Sequence, residues 1–357
     1  MIGLDSEQSR EAPESQLPDM EALLVENNEA LMHDPSVKTI SIRRHGAYNR
    51  GAAEGKEHLK GQLTKQDRSF EGVNEVAEEW VDSLPDEVDV EIIASPTFMP
   101  AERPVPNEAQ KRHPDAVAKI TPRRASVTSS LYAAKLRERF GDEFGGYLAT
   151  EDLSERGQEV REALGLEEPE NARQLDQRLG DIFEYTTAEE SAHIGKFFKT
   201  LGATYEGGMG NKNFWPDFIR GNLPKELNDA YLAAGGDTAV EKAGLALEVI
   251  EDYLDKDKSE DDKKQVALLV SHEEVIGSLA YQIQEYVKDK GLADDEVVAA
   301  LDANKFGYNQ GFDMHVNSEG QATFEIAGQE LKDIDLNDLK QYVAEKISAQ
   351  EHLQNKE

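Results

Sequence analysis

Three short stretches of the chain place reactive side chains directly after apolar, β-branched runs. Arg43-Arg44-His45-Gly46 follows residues 37–42, Ser95-Pro96 follows 88–94, and Ser271-His272-Glu273 closes the run Gln265-Val-Ala-Leu-Leu-Val-Ser271. A neutral imidazole is a nucleophile or a base near neutral pH. A guanidinium carries a planar fork of donors that matches paired anionic oxygens. One histidine behind a strand is most often structural. Two in that position, one of them inside Arg-Arg-His-Gly, form a constellation. In an open α/β sheet such residues converge where strand C-terminal ends meet the following helices, the place where these sheets bind ligands.

The elements that must position them are visible in the pattern. Residues 37–42 read as a buried strand running into a glycine turn. Residues 72–84 carry Val73, Val76, Ala77, Trp80, Val81 and Leu84 at helical spacing and stop at Pro85. Residues 88–94 and 265–271 read as further buried strands. Residues 126–140 and 274–290 read as helices, the first with Leu131, Ala134 and Leu136 inward. Near the C-terminus, 311–316 and 322–326 alternate around Asn317-Ser-Glu-Gly320, a β-hairpin pattern, and 335–349 predicts a closing helix. A further helix is expected around 18–32, and no internal repeat is evident. Strands alternating with helices give an α/β layered fold with a largely parallel sheet. Residues 1–37, with nine acids and one base, form an acidic N-terminal extension. Residues 38–155 and 265–350 form the α/β core, and 156–264 a helical insertion or cap.

Composition narrows the function classes. The chain has 357 residues, 72 Asp and Glu against 39 Lys and Arg, and a formal net charge of −33. Phosphate backbones and anionic membranes repel such a surface, so no nucleic-acid partner and no membrane partner are expected. Cysteine is absent, which excludes disulfides, thiolate zinc sites and cysteine nucleophiles. No stretch approaches the ~18 apolar residues of a membrane span. The first residues have neither a basic start nor an apolar run, so no signal peptide is expected and the expected location is cytoplasmic.

Other residues read as structural. His58, His113, His193, His315 and His352 have no metal-site spacing. Residues 255–262 lack the glycine and the terminal glutamate of a calcium loop. Gly207-Gly-Met-Gly210 does not follow a strand in a βαβ unit, so it is no dinucleotide fingerprint. With Asn213, Phe214, Trp215 and Arg220 beside it, that stretch is either a lid over the pocket or a turn packing two aromatics.

In order and context the chain resembles the histidine phosphatase superfamily (phosphoglycerate mutase-like). The resemblance rests on Arg44-His45-Gly46, Gly61-Gln-Leu-Thr64, Ile93-Ala-Ser-Pro96, Arg124-Ala-Ser-Val-Thr128 and Leu269-Val-Ser-His272, together with the hairpin over 311–326. It covers about half the chain, 38–140 and 265–328. It implies a three-layer α/β/α sandwich with a mostly parallel central sheet. It also implies a hydrolase, a metal-independent phosphomonoesterase (phosphatase) with a phosphohistidine intermediate on His45, acting on a small phosphorylated metabolite. No cofactor and no metal are implied. Arg44, Arg124 and His272 would hold the phosphoryl oxygens, and Asn49 would assist in phosphate binding.

By the same resemblance the proton donor is Glu155, in Leu153-Ser-Glu155-Arg156, with Glu273 after the second histidine and Glu151 as alternatives. The chain departs from the family pattern where Thr97 to Arg123 separates Ser95-Pro96 from Arg124, and where Met99 stands in place of an arginine. Arg103 and Arg123 are fallbacks for Arg124. A mutase or phosphotransferase of the same fold would need more cations than are visible. A catalytically weak phosphate-binding scaffold is the remaining alternative.

The net charge is unevenly spread. Residues 38–50 hold four bases and no acid, and 103–124 hold six bases against two acids, whereas 142–190 hold fifteen acids against four bases. The two basic islands coincide with the two arginine motifs, so the expected pocket is locally positive.

Overall fold

A computed structural model describes residues 30–46, 69–95, 124–141, 174–180, 188–256, 263–303, 306 and 308–354. Seven strands form one sheet: β1 (Lys38–Arg44), β2 (Val88–Ala94), β3 (Gln174–Leu175), β4 (Lys264–Ser271), β5 (Gly311–Val316), β6 (Gln321–Ile326) and β7 (Gln329–Asp335), in the order β3-β2-β4-β1-β5-β6-β7. The first four are parallel, and β5 to β7 continue the sheet as an antiparallel meander. The long helices are α1 (Ser69–Asp82), α2 (Arg124–Phe140), α3 (Ala188–Thr204), α6 (Ala239–Leu254), α7 (Glu273–Lys290) and α9 (Leu336–Gln354). Shorter ones are α4 (Phe214–Ile219), α5 (Lys225–Ala233) and α8 (Asp295–Ala303).

Strands β1, β2 and β4 read as expected because of what each face buries. Central β4 is apolar on both faces. Val266, Leu268 and Val270 meet α1 and α2, and Ala267 and Leu269 meet the layer of α6, α7 and α9. In β1 the alternation is two-sided. Ile40 and Ile42 join the α6–α7 layer, while Thr39 and Ser41 are buried on the α1–α2 side. The result is the three-layer α/β/α sandwich. Helix α6 opens with a capping box, Thr238 with Glu241, and packs its inner face on the sheet core. Helices α3 to α5 instead share their own cluster, built on Phe197, Tyr205, Phe214, Phe218 and Tyr231.

One expectation is extended. The hairpin over 311–326 is the first half of a three-strand meander, and β7, like the two-residue β3 at the other edge of the sheet, is a strand that the sequence pattern did not predict. Its buried residues, Leu331 and Ile334, are three apart. A register irregularity between Ala322 and Phe324 and a positive φ of 57° at Asp333 absorb the odd residue. A bulged strand has no period-2 pattern, so its sequence reads as loop.

Candidate active site

The ladder between β1 and β4 does not stop at the last strand residue. Arg44 pairs with Ser271, and the His45 amide donates to the Ser271 carbonyl at 3.0 Å. This brings the residues that follow each strand side by side. The His45 and His272 rings sit 5.0 Å apart at 62°, edge to face, and both are buried. His45 Nδ1 lies 2.7 Å from the Gly46 carbonyl oxygen. A carbonyl only accepts, so Nδ1 carries the proton and Nε2 the basic lone pair. The Gly46 amide donates to Thr128 Oγ1 at 2.9 Å, which ties the turn after β1 to the first turns of α2. From β2, the Ser95 hydroxyl shares a 2.8 Å hydrogen bond with His272 Nε2. His272 is also the extended residue that caps the N-terminus of α7, an end that favours negative charge.

Strand alternation separates the two adjacent arginines. Arg44 Nη2 pairs with Glu273 at 2.8 Å, Nη1 donates to the Phe306 carbonyl at 2.6 Å, and the guanidinium lies 4.4 Å over the Tyr308 ring. Its Nε is buried and has no acceptor among the described residues. Arg43 points to the opposite face. There it makes a bidentate pair with Asp313 at 2.7 and 2.8 Å, and Ser41 donates to the same carboxylate at 2.6 Å. Burial alone would raise the Asp313 carboxyl, but the Arg43 charge and the hydrogen bonds from Arg43 and Ser41 hold it below its ordinary value. Trp80 of α1 donates to Ser41 at 2.9 Å and completes this buried brace.

The chain has structural neighbours. It is similar to "Mycobacterial hydrolase 1", with 12% identity and a TM-score of 0.40, over 82% of this chain and 99% of that one. It is also similar to "Mycobacterial hydrolase 2", with 12% identity and a TM-score of 0.39, over 86% and 97% of the two chains. A phosphoglycerate mutase from Bacillus anthracis str. Sterne shares 11% identity, with a TM-score of 0.37 over 87% and 97%. No family model matches the chain, and no curated protein sequence matches it.

Of the residues singled out in the sequence, Arg44, His45, Ser95, Thr128, His272 and Glu273 come together at the ends of β1, β2 and β4. Arg124 is the first residue of α2, four positions before Thr128. Asn49, Gly61 to Thr64, Thr97 to Arg123, Glu151 and Glu155 lie outside the described residues. Glu273 stands as the partner of Arg44. His315 is buried between strands, with Nδ1 3.0 Å from Thr39 Oγ1. Among the described residues, no helix is long and apolar enough to cross a membrane.

Two contributors were not read from the sequence. Tyr308 stacks on Arg44 and has its ring centroid 5.8 Å from that of His45. Phe306 supplies the carbonyl for Arg44. Their signal was topological. In an antiparallel neighbour of β1, the entry to β5 must meet the exit of β1. Gly311 marks the junction, because a Cβ there would collide with the Ile42 carbonyl oxygen.

The segment after α3 also approaches the site. Met209, Gly210, Asn211, Trp215 and Arg220 line a cleft of about 380 Å³ that Arg44, Glu273 and Tyr308 also line. Phe214 and Phe218 meanwhile pack inside the α3–α5 cluster.

Proposed function

We propose that this chain is a phosphomonoesterase that works through a phosphohistidine on His45, without a metal, on a small phosphorylated metabolite. One observation carries the reading: a buried imidazole whose Nδ1 proton is committed to Gly46, so that its basic nitrogen is Nε2, beside a second buried imidazole and Arg44. The His45 Nε2 lone pair forms a bond to phosphorus as the bond to the ester oxygen breaks, and that oxygen takes a proton as it leaves. Water then attacks phosphorus, giving a proton to the carboxylate that protonated the leaving oxygen; the P–N bond breaks, phosphate is released and the neutral imidazole and the carboxylic acid are restored.

The remaining groups stabilise charge. Arg44 Nε is a buried donor in need of an acceptor, and a phosphoryl oxygen satisfies it. Leaving such a donor unmet costs ~1–3 kcal/mol, so an anionic oxygen as its acceptor is favoured. His272 and Arg124 are the further phosphate-binding groups of this reading, with Asn49. The ion pair with Arg44 makes Glu273 a positioning residue, and Glu155 is then the leading proton donor, ahead of Glu151.

The test is turnover of an alkyl phosphate in the presence of a chelator, with acid quenching to trap the phosphoenzyme. Wild type is expected to turn over and to show an acid-labile phosphoenzyme, and His45→Ala neither. Turnover by His45→Ala equal to wild type, or a requirement for added metal, would overturn the mechanism. Glu155→Gln is expected to slow alkyl esters far more than aryl esters, whose leaving groups need no proton.

A further inference from the structure

We infer that the cleft running from Arg44 to α4 binds the alcohol portion of the substrate, and that this alcohol is apolar, a hydrocarbon chain or ring and not a polyol. The inference rests on the phosphohistidine reading for its phosphate end. It extends that reading from any small phosphate ester to one chemical class.

The cleft begins at the catalytic edge, since Arg44 and Glu273 line it, and its volume of about 380 Å³ suits a small molecule. Its walls are more apolar than polar, although Asn211, Tyr281 and Gln284 also line it. Trp215 and Ile219 come from α4, Met209 from the turn before it, Leu301 from α8, and Phe306 and Ile326 from the sheet side. Of the three cations that line it, Lys212 is exposed and the other two are paired with carboxylates of the same lining. Arg44 holds Glu273 at 2.8 Å, and Arg220 holds Asp302 at 2.7 Å. A sugar or glycerol group would bury hydroxyls against the apolar side chains of Trp215, Ile219, Leu301 and Phe306, which is unfavourable. A hydrocarbon loses nothing there and gains by leaving water.

The wall is also seated deliberately. Gly277 of α7 faces Ile219, and a Cβ at 277 would lie 2.5 Å from Ile219 Cδ1. The missing side chain lets α4 approach the helix that begins at His272, which couples the apolar wall to the catalytic edge.

The experiment is a series of n-alkyl phosphates from ethyl to octyl, all below their micelle concentrations. From ethyl upward the leaving-group basicity is nearly constant, so chain length reports burial alone. With wild type, kcat/KM is expected to rise about 2- to 4-fold per methylene over several methylenes, the upper figure being full burial. It is also expected to exceed that for glycerol phosphate. Trp215→Ala is expected to flatten the series.

Binding is read without turnover from tryptophan fluorescence, because the chain has only two tryptophans, Trp80 and Trp215. Octanol and octyl phosphate are expected to change the emission of wild type and not that of Trp215→Phe. A flat chain-length series with normal turnover overturns the cleft assignment and leaves the phosphohistidine reading standing, as does a preference for glycerol phosphate. An emission change that persists in Trp215→Phe overturns it as well. Absence of any turnover overturns the phosphatase reading instead, and the octanol titration still decides the cleft.

Discussion

Arg44 makes a chemical choice that lysine cannot copy. Its guanidinium serves Glu273 and the Phe306 carbonyl through two nitrogens, lies over Tyr308, and still presents Nε. An ammonium keeps the charge but has no third, fixed direction. Arg44→Lys is therefore expected to lower kcat by about 100-fold, a typical cost for one lost charge-stabilising donor, with the loss in the rate of phosphoenzyme formation in a single turnover. Tyr132 shows the opposite situation. Its hydroxyl is buried without a partner among the described residues, and burial pushes its pKa up to about 12. The unfolded tyrosine ionises from about pH 10 and the folded one does not. Its stabilising effect is thus complete below pH 10 and is lost as pH rises toward 12. Tyr132→Phe removes an unmet polar group, so urea unfolding at pH 7 is expected to show a gain of about 1 kcal/mol. The loss of stability between pH 10 and 12 is expected to be shallower in that variant.

At the level of elements, β1 shows how a strand can be both core and chemistry. Ile40 and Ile42 hold one face, Ser41 and Arg43 brace the other through Asp313, and only the last residue turns toward the site. Removing the brace leaves the Arg43 charge buried and uncompensated. Asp313→Asn is expected to cost about 3 kcal/mol at pH 7, measured by denaturant unfolding. The sign with pH follows from the lowered carboxyl. Its contribution is present above the unfolded value of 3.8 and disappears as pH falls through the folded one, so the acid limb of the wild-type stability curve should be shallower in the variant. The sequence made β1, β2 and β4 legible because buried strands have short, apolar, β-branched runs, and the reactive residues sit at their ends. It did not show β7, whose bulge breaks the alternation. It also hid Tyr308, because a loop residue acquires its place only from the pairing of β5 with β1. The ion pair of Arg44 with Glu273 spans 229 positions of sequence and leaves no local pattern.

For the whole molecule, the fold changes what its charges can do. Residues 38–50 look like a positive island in the sequence, yet the fold spends those bases. Lys38 donates to the carbonyls of Leu254 and Lys256, Arg43 is matched by Asp313 and Arg44 by Glu273. Arg50 lies outside the described residues. In the proposed function a phosphate dianion would therefore approach against the field of a chain with a net charge of −33, and would meet attraction only at contact, where hydrogen bonds rather than net charge act. The Debye length is about 30 Å at 10 mM ionic strength and about 8 Å at 150 mM, so added salt screens the long-range repulsion first and the contact pairs least. This predicts that kcat/KM for a dianionic ester rises a few-fold between 10 and 150 mM sodium chloride, while kcat changes little. The measurement is a salt series with an alkyl phosphate at a pH where the ester is fully ionised. A neutral inert salt is needed, because sulfate and phosphate would compete for Arg44. A fall in kcat/KM over the same range would mean that a locally positive field reaches beyond the pocket, which is what the bare sequence had implied.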